Sequence, residues 1–264
     1  MRPITSIEEL HAILLEMAKQ FHRICEENNV PYYMLGGTML GALRHKGFIP
    51  WDDDMDFGVP RIFFEKCISC LREGLPSRYK VIGMEDSRYV VGMVYKIVDK
   101  TTAASYHFID GKGEEYGVNI DIFPLDKTNS NKRLLSKNNL IQMFKGIDAY
   151  RLYRVKDLKL SSRLGAYLIK ILFIPFNRQA INHFIQKQLI VNEGEYIANH
   201  AGHWKLKEIV PQEWFGKPTL YEFEDTHFYG VCDYDVYLTQ LYGNWHELPP
   251  ERKRKVHLNN VYVK

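Results

Sequence analysis

The sequence predicts an α+β fold in which helices flank a mixed β-sheet. Three observations lead to this prediction: an amphipathic helix near the N-terminus, a strand–helix–strand–helix succession over residues 31–74, and four later stretches rich in β-branched and aromatic residues. The chain has 264 residues, which suits one enlarged domain or two closely packed ones. Its ordinary apolar and charged fractions allow a sizeable hydrophobic core.

Helical periodicity and a capping box predict the first helix. Ser6 is followed three residues later by Glu9, and apolar residues then recur at helical spacing from Leu10 to Ile24. Thr38 is expected as the N-cap of the second helix or in its first turn. Pro124 is expected to end the last strand of this half, which leaves Asp126 in a loop. The predicted strands are residues 31–35, 54–59, 79–84, 89–98, 102–108 and 116–123, and the predicted helices between them are 38–45 and 60–74.

The composition changes after residue 126. Residues 132–170 contain ten Lys or Arg and two acids, a net charge of +8, with apolar residues interleaved at helical spacing. A nearly all-apolar stretch at 164–176, a helix at 178–190 and, near the end, a helix at 233–242 follow. We expect a core over residues 1–126, a basic helical segment over 127–203, and a C-terminal region over 204–264 that packs back on the core.

Composition also limits the class of protein. The net charge of +3 is mild and does not indicate a nucleic-acid partner. No secretory signal opens the chain, and no apolar run reaches the roughly 20 residues that span a bilayer. Four scattered cysteines, Cys25, Cys67, Cys70 and Cys232, favour the reducing cytoplasm. The Cys67–Cys70 pair is expected to pack in the core rather than bind zinc.

The basic segment admits two interpretations. Beside the apolar stretch at 164–176, it could form a surface for anionic lipid or for a lipid-linked acceptor at the inner face of the membrane. The alternative is a solvated helix face that packs on the core.

An acidic run follows the second predicted helix. Side chains two residues apart in a strand share a face, so Asp54 and Asp56 project together, with Asp52 beside them if the strand begins early. Carboxylate oxygens in this arrangement suit Mg²⁺ or Mn²⁺. The alternatives are a solvated acidic turn or a structural Ca²⁺ loop, but the EF-hand spacing is absent. Trp51 and Phe57 on either side argue against a freely solvated run.

A double glycine precedes this run by one short helix. Backbone N–H groups at a helix N-terminus bind phosphate, and glycines allow it to approach closely, so Gly36, Gly37 and Thr38 form a candidate phosphate site. A double glycine alone is more often a tight turn. Its position just ahead of the carboxylates, with Arg44 and His45 between them, favours the phosphate site.

A third carboxylate is expected for metal-assisted phosphoryl transfer. Asp121 is the candidate, because it lies between two isoleucines in an apolar strand, where an uncompensated carboxylate is costly to bury. An Asp at a strand end is the alternative.

Residues 35–56 closely resemble the signature of the LicD family, whose members transfer phosphocholine, and in relatives other phospho-alcohols, from CDP-linked donors onto glycans. Further blocks at 96–102, 120–124, 242–245 and 248–250, together with His257, resemble other parts of the family pattern. The middle of the chain, about residues 127–200, has no matching motif. Gly243-Asn244 stands where many members have Gly-Asp, and the Cys-rich zinc insertion of related eukaryotic enzymes is missing from the sequence.

The resemblance implies a nucleotidyltransferase-like fold and a catalytic trio of Asp54, Asp56 and Asp121. It makes these three the ligands of Mg²⁺ or Mn²⁺, with Asp52 at a further acidic position, and leaves Asp121 as either ligand or general base. The expected partners are a CDP-linked donor and a glycan acceptor, such as a precursor of lipopolysaccharide, teichoic acid or capsule. The expected substrate contacts are Gly36, Gly37, Thr38, Arg44, His45, Trp51 and Lys96.

Two other functions remain open from the sequence. One is a nucleotidyltransferase of the same fold that moves a whole nucleotide onto a sugar or another small molecule. The other is a non-catalytic binding protein, against which the three intact acids argue.

Overall fold

The computed structural model describes residues 1–86, 93–104, 117–129, 139–144, 146, 160–172, 178–254 and 261–264. The strands are β1 (Arg2–Pro3), β2 (Tyr33–Met34), β3 (Asp56–Pro60), β4 (Tyr79–Ile82), β5 (Tyr95–Asp99), β6 (Thr102–Ala104), β7 (Asn119–Thr128), β8 (Tyr196–Ala198), β9 (Ile209–Pro211), β10 (Thr219–Phe223), β11 (Thr226–Gly230) and β12 (Val261–Val263). The α-helices are α1 (Ile7–Glu27), α2 (Gly36–His45), α3 (Arg61–Gly74), α4 (Leu160–Leu172), α5 (Arg178–Phe184), α6 (Gln212–Phe215) and α7 (Tyr234–Tyr242).

The described residues form a seven-stranded mixed sheet with helices packed against it. The sheet runs β2-β3-β7-β5-β4, and β8 and β9 continue it from the far end of β7. The β3–β7 pair is parallel, whereas the other pairs are antiparallel. The predicted α+β architecture with a mixed sheet and flanking helices is confirmed at this level.

Local sequence signals account well for α1. The Ser6 hydroxyl accepts a hydrogen bond from the Glu9 backbone N–H (3.2 Å), so the capping box forms as predicted. The apolar stripe of the helix, including Leu14, Met17 and Phe21, is fully buried against the sheet. The helix is therefore both capped and anchored by one face.

The prediction for the end of β7 was wrong. The strand continues past Pro124 to Thr128, and Asp126 lies inside it rather than in a loop. Along β7, the N–H groups of successive residues point in turn to one side of the strand and then to the other. The Asp121 N–H donates to the Met55 carbonyl (2.9 Å), on the side where β3 lies. Pro124 lies three residues further on, so the N–H that a proline lacks would point to the opposite side. On that side β5 pairs only as far as Ile122 and β8 begins only at Asp126, so β7 continues through the proline without losing a hydrogen bond to either strand.

Two further predictions are confirmed in part. The second helix begins at Gly36, two residues before the predicted start, with Leu35 as its N-cap residue, and Thr38 lies in the first turn, which is one of its two predicted places. The strand predicted at 102–108 is observed as β6, which joins β1 and β12 in a separate three-stranded sheet; residues 105–108 lie outside the described part.

Much of the predicted basic segment lies outside the described residues. The described part of this segment contains the helices α4 and α5, and α5 continues as a π-helical turn, Ile185–Leu189. In the C-terminal region, α7 matches the helix predicted at 233–242. The Tyr33 hydroxyl donates to the Gly216 carbonyl (2.7 Å), which ties that region to β2. The division into three ranges stays a prediction. Among the described helices, none is long and apolar enough to cross a bilayer.

The Arg61–Asp126 ion pair gives a test of the corrected end of β7. Asp126 is fully buried and receives two hydrogen bonds from the Arg61 guanidinium, at 2.7 and 3.1 Å. Asp126→Asn should destabilise the protein by about 3–5 kcal/mol, because it leaves a half-buried guanidinium without its counter-charge. The urea midpoint measures this. Asp225→Asn is the control, because Asp225 pairs with Lys19 at the surface, and it should leave the midpoint nearly unchanged.

Candidate active site

Three charged side chains form a row across neighbouring strands. The parallel register places Asp56 of β3 opposite Asp121 of β7, and the antiparallel register places Lys96 of β5 opposite Asp121. Laterally paired residues project from the same face of a sheet, so the three side chains are neighbours. Lys96 forms an ion pair with Asp121 and also donates to the Asn119 side chain (3.0 Å). This acidic row therefore brings together the two predicted acids and the predicted cation.

The start of α2 lies against this row. The Leu35 N–H donates to the Asp56 carbonyl (3.0 Å), and the Asp56 N–H donates to the Thr38 hydroxyl (2.8 Å). Gly36 adopts a φ of +48°, which glycine tolerates far better than other residues. Because Thr38 is buried and already bonded to β3, its observed role is to join the helix to the strand.

Asp52 faces the first turn of α2. A Cβ atom on Gly37 would lie 2.6 Å from the Asp52 carboxylate oxygen, so the absence of a side chain at Gly37 allows the acid to approach. A negative charge at a helix N-terminus is favourable. A phosphate group at the same place would meet this carboxylate, and it could bind closely only with a cation between the two.

The acids share a desolvated environment. Burial raises the pKa of Asp52 to about 8, and the charges of Asp54 and Asp53 add to the effect. Asp54 keeps contact with solvent, yet the protein atoms around it, followed by the charges of Asp53 and Asp121, raise its pKa to about 6. Burial, and then the neighbouring Asp54 and Asp121 charges, raise the pKa of Asp56 well above its usual range. Asp54 is thus crowded by protein atoms and by other charges although its side chain still reaches solvent.

This donor set fits a hard divalent cation. Carboxylate oxygens are the ligands that Mg²⁺ and Mn²⁺ prefer, and a cation would offset the repulsion that raises these pKa values. Among the described residues, no three Asp, Glu, His or Cys side chains are already arranged as a coordination shell. The site therefore contains carboxylate oxygens of the kind that Mg²⁺ and Mn²⁺ prefer, and metal binding there stays a prediction.

The loop that carries Trp51 and Asp52 is held by residues that the sequence analysis did not identify. The His11 ring hydrogen-bonds the Asp52 carbonyl (2.7 Å) and stacks on Phe48 at 4.0 Å. The Glu224 carboxylate accepts from the Phe48 N–H (2.9 Å). No local motif marks His11 or Glu224, because their contacts join positions far apart in the sequence.

Arg44 and His45 lie at the other end of α2, about 12 Å along the helix axis from Gly36. Arg44 donates to the carbonyls of Trp245 (2.9 Å) and Glu247 (3.2 Å), so the structure shows it bound to the C-terminal region. His45 meets the edge of Trp51, and burial together with the Arg44 charge lowers its pKa. These side chains form a second group beside the acidic row, and their contacts with substrate stay predictions.

An aromatic wall faces the start of α2. The Tyr237 hydroxyl accepts from the Gly36 N–H (3.2 Å), and the Tyr242 hydroxyl lies 3.7 Å from the Cβ position of Gly36. Trp204 packs edge-to-face on Tyr242, with ring centroids 5.2 Å apart, and the Lys207 ammonium lies 5.4 Å from the centre of the Trp204 ring. Residues 242–245 are part of the resemblance to the LicD family, but an aromatic wall at this place was not predicted from the sequence.

Comparisons with known proteins give two main findings. Residues 29–148 match the family described as "LicD/FKTN/FKRP, nucleotidyltransferase domain". The chain is also 29% identical over 268 aligned residues, 98% of each chain, to the lipopolysaccharide cholinephosphotransferase LicD of Haemophilus influenzae. Residues 29–148 thus resemble the domain of that description, and nearly the whole chain resembles a LicD cholinephosphotransferase.

Two further matches cover only a short part of the chain. The chain is 44% identical over 46 residues to the human ribitol 5-phosphate transferase FKRP, which covers 17% of this chain and 9% of that protein. It is 46% identical over 46 residues to an uncharacterised protein of Rickettsia prowazekii, 17% of each chain. The family range 29–148 contains the acidic row but not His11, Glu224 or the aromatic wall.

Gly41 gives a test of how closely α2 packs on the loop that carries Asp52. A Cβ atom there would lie 2.4 Å from the Gly47 carbonyl oxygen, a backbone atom that cannot rotate away. Gly41→Ala should therefore destabilise the protein by about 1–3 kcal/mol. The matched control is Gly165→Ala in α4, where nothing lies within 4 Å. The control should match or exceed wild-type stability, by up to about 1 kcal/mol. Equal urea midpoints for Gly41→Ala and wild type would contradict this packing.

Proposed function

We propose that this protein transfers phosphocholine, or a related phospho-alcohol, from a CDP-linked donor to a hydroxyl group of a cell-surface glycan precursor. The match of residues 29–148 to the LicD family model, and the similarity of nearly the whole chain to a cholinephosphotransferase, support a phosphotransferase enzyme. The observation that carries the proposal is the parallel register of Asp56 and Asp121 beside the start of α2. The short match to a ribitol 5-phosphate transferase supports a phospho-alcohol as the group that moves.

A nucleotidyltransferase-like fold is part of the proposal. Its support is the order of the elements: a glycine-opened helix faces strand β3, which begins at Asp56 rather than at the predicted Asp54, and the parallel neighbour β7 supplies Asp121. The family description also names a nucleotidyltransferase domain. A helix start and an acidic row side by side are suited to phosphate and to a cation, respectively.

The chemistry divides between the helix start and the row. Asp54, Asp56 and Asp121, with Asp52 beside them, would hold Mg²⁺ or Mn²⁺, which when bound neutralises charge on the donor pyrophosphate. The N–H groups after Gly36 and Gly37 bind and orient one phosphate. The acceptor oxygen then forms its bond to the phosphorus that carries the alcohol, and the bond to the CMP oxygen breaks.

Lys96 is the ion-pair partner of Asp121 and orients its carboxylate within the row. Asp121 has two proposed roles, as a metal ligand or as the base that accepts the proton of the acceptor hydroxyl. Arg44, His45 and Trp51 are proposed to contact the donor from the second group at the end of α2.

The acceptor and the compartment are also proposals. The Haemophilus relative is named for lipopolysaccharide, and a lipopolysaccharide, teichoic acid or capsule precursor would offer the same sugar hydroxyl. We place the reaction in the cytoplasm, at the inner face of the membrane, where CDP-linked donors and lipid-linked precursors would meet.

A donor panel tests the proposal. Purified full-length protein with Mg²⁺ and glycan acceptors should release CMP from CDP-choline, and the same assay should include CDP-ethanolamine, CDP-glycerol and CDP-ribitol. Asp56→Asn and Asp121→Asn should each lower turnover at least about 100-fold, or about 2.7 kcal/mol. Asp53→Asn, in the same acidic run, should stay within about tenfold of wild type.

Three outcomes would contradict the proposal. Pyrophosphate release from nucleoside triphosphates alone would favour the nucleotidyltransferase alternative, and no reaction with any donor would favour a binding protein. Turnover that survives both substitutions within about tenfold would remove the acidic row from the reaction. A second readout needs no donor: Mg²⁺ should raise the melting temperature of wild type but not of Asp56→Asn.

The aromatic wall supports choline as the alcohol. A quaternary ammonium is attracted to the face of an aromatic ring, and the Lys207 ammonium already lies over Trp204. Trp204 is 37% exposed and is joined through Tyr242 to the helix start where phosphate would bind. Trp204→Leu should therefore reduce the preference for CDP-choline over CDP-glycerol about threefold to thirtyfold, the effect of losing about 0.7–2 kcal/mol of cation–π attraction.

Ratios of kcat/KM for the two donors measure this preference, and Trp204→Phe should retain most of it. An unchanged ratio in Trp204→Leu, with transfer from CDP-choline intact, would exclude Trp204 from the choline site while leaving the proposed reaction in place.

A further inference from the structure

Helix α4 exposes four large apolar side chains on one face. Leu164 is 72% exposed, Tyr167 55%, Leu168 51% and Ile171 62%. Their spacing of three, four and seven residues places them on one side of the helix. Ala166, which points away from that side, is buried. The helix thus uses one face for packing and leaves an apolar face, Leu164, Tyr167, Leu168 and Ile171, at the surface.

Such a face is uncommon on a monomeric protein in water. Single exposed apolar side chains are ordinary, but a run of four on one helix face marks a contact surface. Three more exposed apolar side chains lie nearby in sequence: Leu140, Met143 and Phe184. The Phe184 ring contacts Phe144, so the helical turns at 139–144 and α5 are neighbours.

The charge of this part of the chain indicates what covers the face. Residues 132–170 carry a net charge of +8, whereas the whole chain carries +3, so the remainder is net negative at −5. The sequence of α4 contains Arg163 and Lys170 and no acid. An apolar helix face within a stretch of sequence rich in Lys and Arg complements a surface that is apolar inside and anionic outside.

We propose that the apolar face of α4 is a docking surface for an anionic lipid bilayer. An amphipathic helix of this composition lies in the plane of the membrane, with its apolar side chains in the boundary between head groups and acyl chains. The Lys and Arg residues of this stretch of sequence are attracted to anionic head groups, and Tyr167 suits the level of the head groups. The 13 described residues of α4 span about 20 Å, less than a hydrocarbon core of about 30 Å, and the proposal places this helix on the membrane rather than across it.

The surface goes beyond the proposed transfer reaction, and its test needs neither donor nor metal. Full-length protein is sedimented with vesicles of phosphatidylcholine alone or with about one-third phosphatidylglycerol. Wild type should bind the anionic vesicles at low salt, bind those of phosphatidylcholine at least tenfold more weakly, and dissociate from the anionic vesicles as salt rises. Leu164→Glu and the double variant Leu168→Glu/Ile171→Glu should each lower the affinity at least tenfold.

The matched control is Leu220→Glu, which introduces the same charge at an apolar side chain that is 49% exposed on β10. It should bind vesicles as wild type does. All variants should keep the wild-type melting temperature, because each substituted side chain is at the surface.

Other results would overturn the proposal. These are no binding of wild type to anionic vesicles at low salt, equal binding to both vesicle types, or wild-type affinity in both α4 variants. A dimer in sedimentation velocity that the α4 substitutions dissociate, without vesicle binding, would assign the face to a second copy of the chain instead.

Discussion

The acidic row is held together against its own electrostatic repulsion, and much of the structure serves to hold it. The parallel β3–β7 pair places Asp56 beside Asp121, and the start of α2 brings Asp52 to the same place. Raised pKa values for Asp52, Asp54 and Asp56 mean that their ionised forms are less stable in the folded chain than in water. A cluster that weakens folding at neutral pH is typical of a functional site, where a bound cation would remove the cost.

The residues that hold this site come from the whole chain. His11 of α1 bonds the Asp52 carbonyl, Glu224 of the β10–β11 turn bonds the loop before it, and Tyr237 of α7 bonds the first N–H of α2. All three lie outside residues 29–148, the range that matches the family description. Residues 29–148 therefore contain the proposed reacting groups, while the positions of these groups depend on contacts from residues before and after that range. Near full-length similarity to the Haemophilus relative is consistent with that dependence.

Local signals in the sequence predicted those parts of the fold that depend on local chemistry. The Ser6 cap, the glycine opening of α2, and the strand carrying Asp56 all follow from residues a few positions apart. Asp126 was misplaced because its partner, Arg61, is 65 residues away, and because Pro124 is tolerated only where β7 lacks a neighbour. The contacts of Arg44 and Tyr237 join positions about 200 residues apart and leave no periodic pattern. The prediction was therefore correct where neighbouring residues determine the structure, and it failed where a side chain depends on a partner far away in the sequence.

The charge of the sequence is unevenly divided. An anionic bilayer would attract residues 132–170, at +8, whereas the remaining residues total −5. The proposed docking of α4 would therefore draw on this attraction as well as on its apolar face. Electrostatic attraction falls off within about one Debye length, roughly 8 Å at physiological salt, so attraction and the insertion of apolar side chains would act over the same short distance from the bilayer.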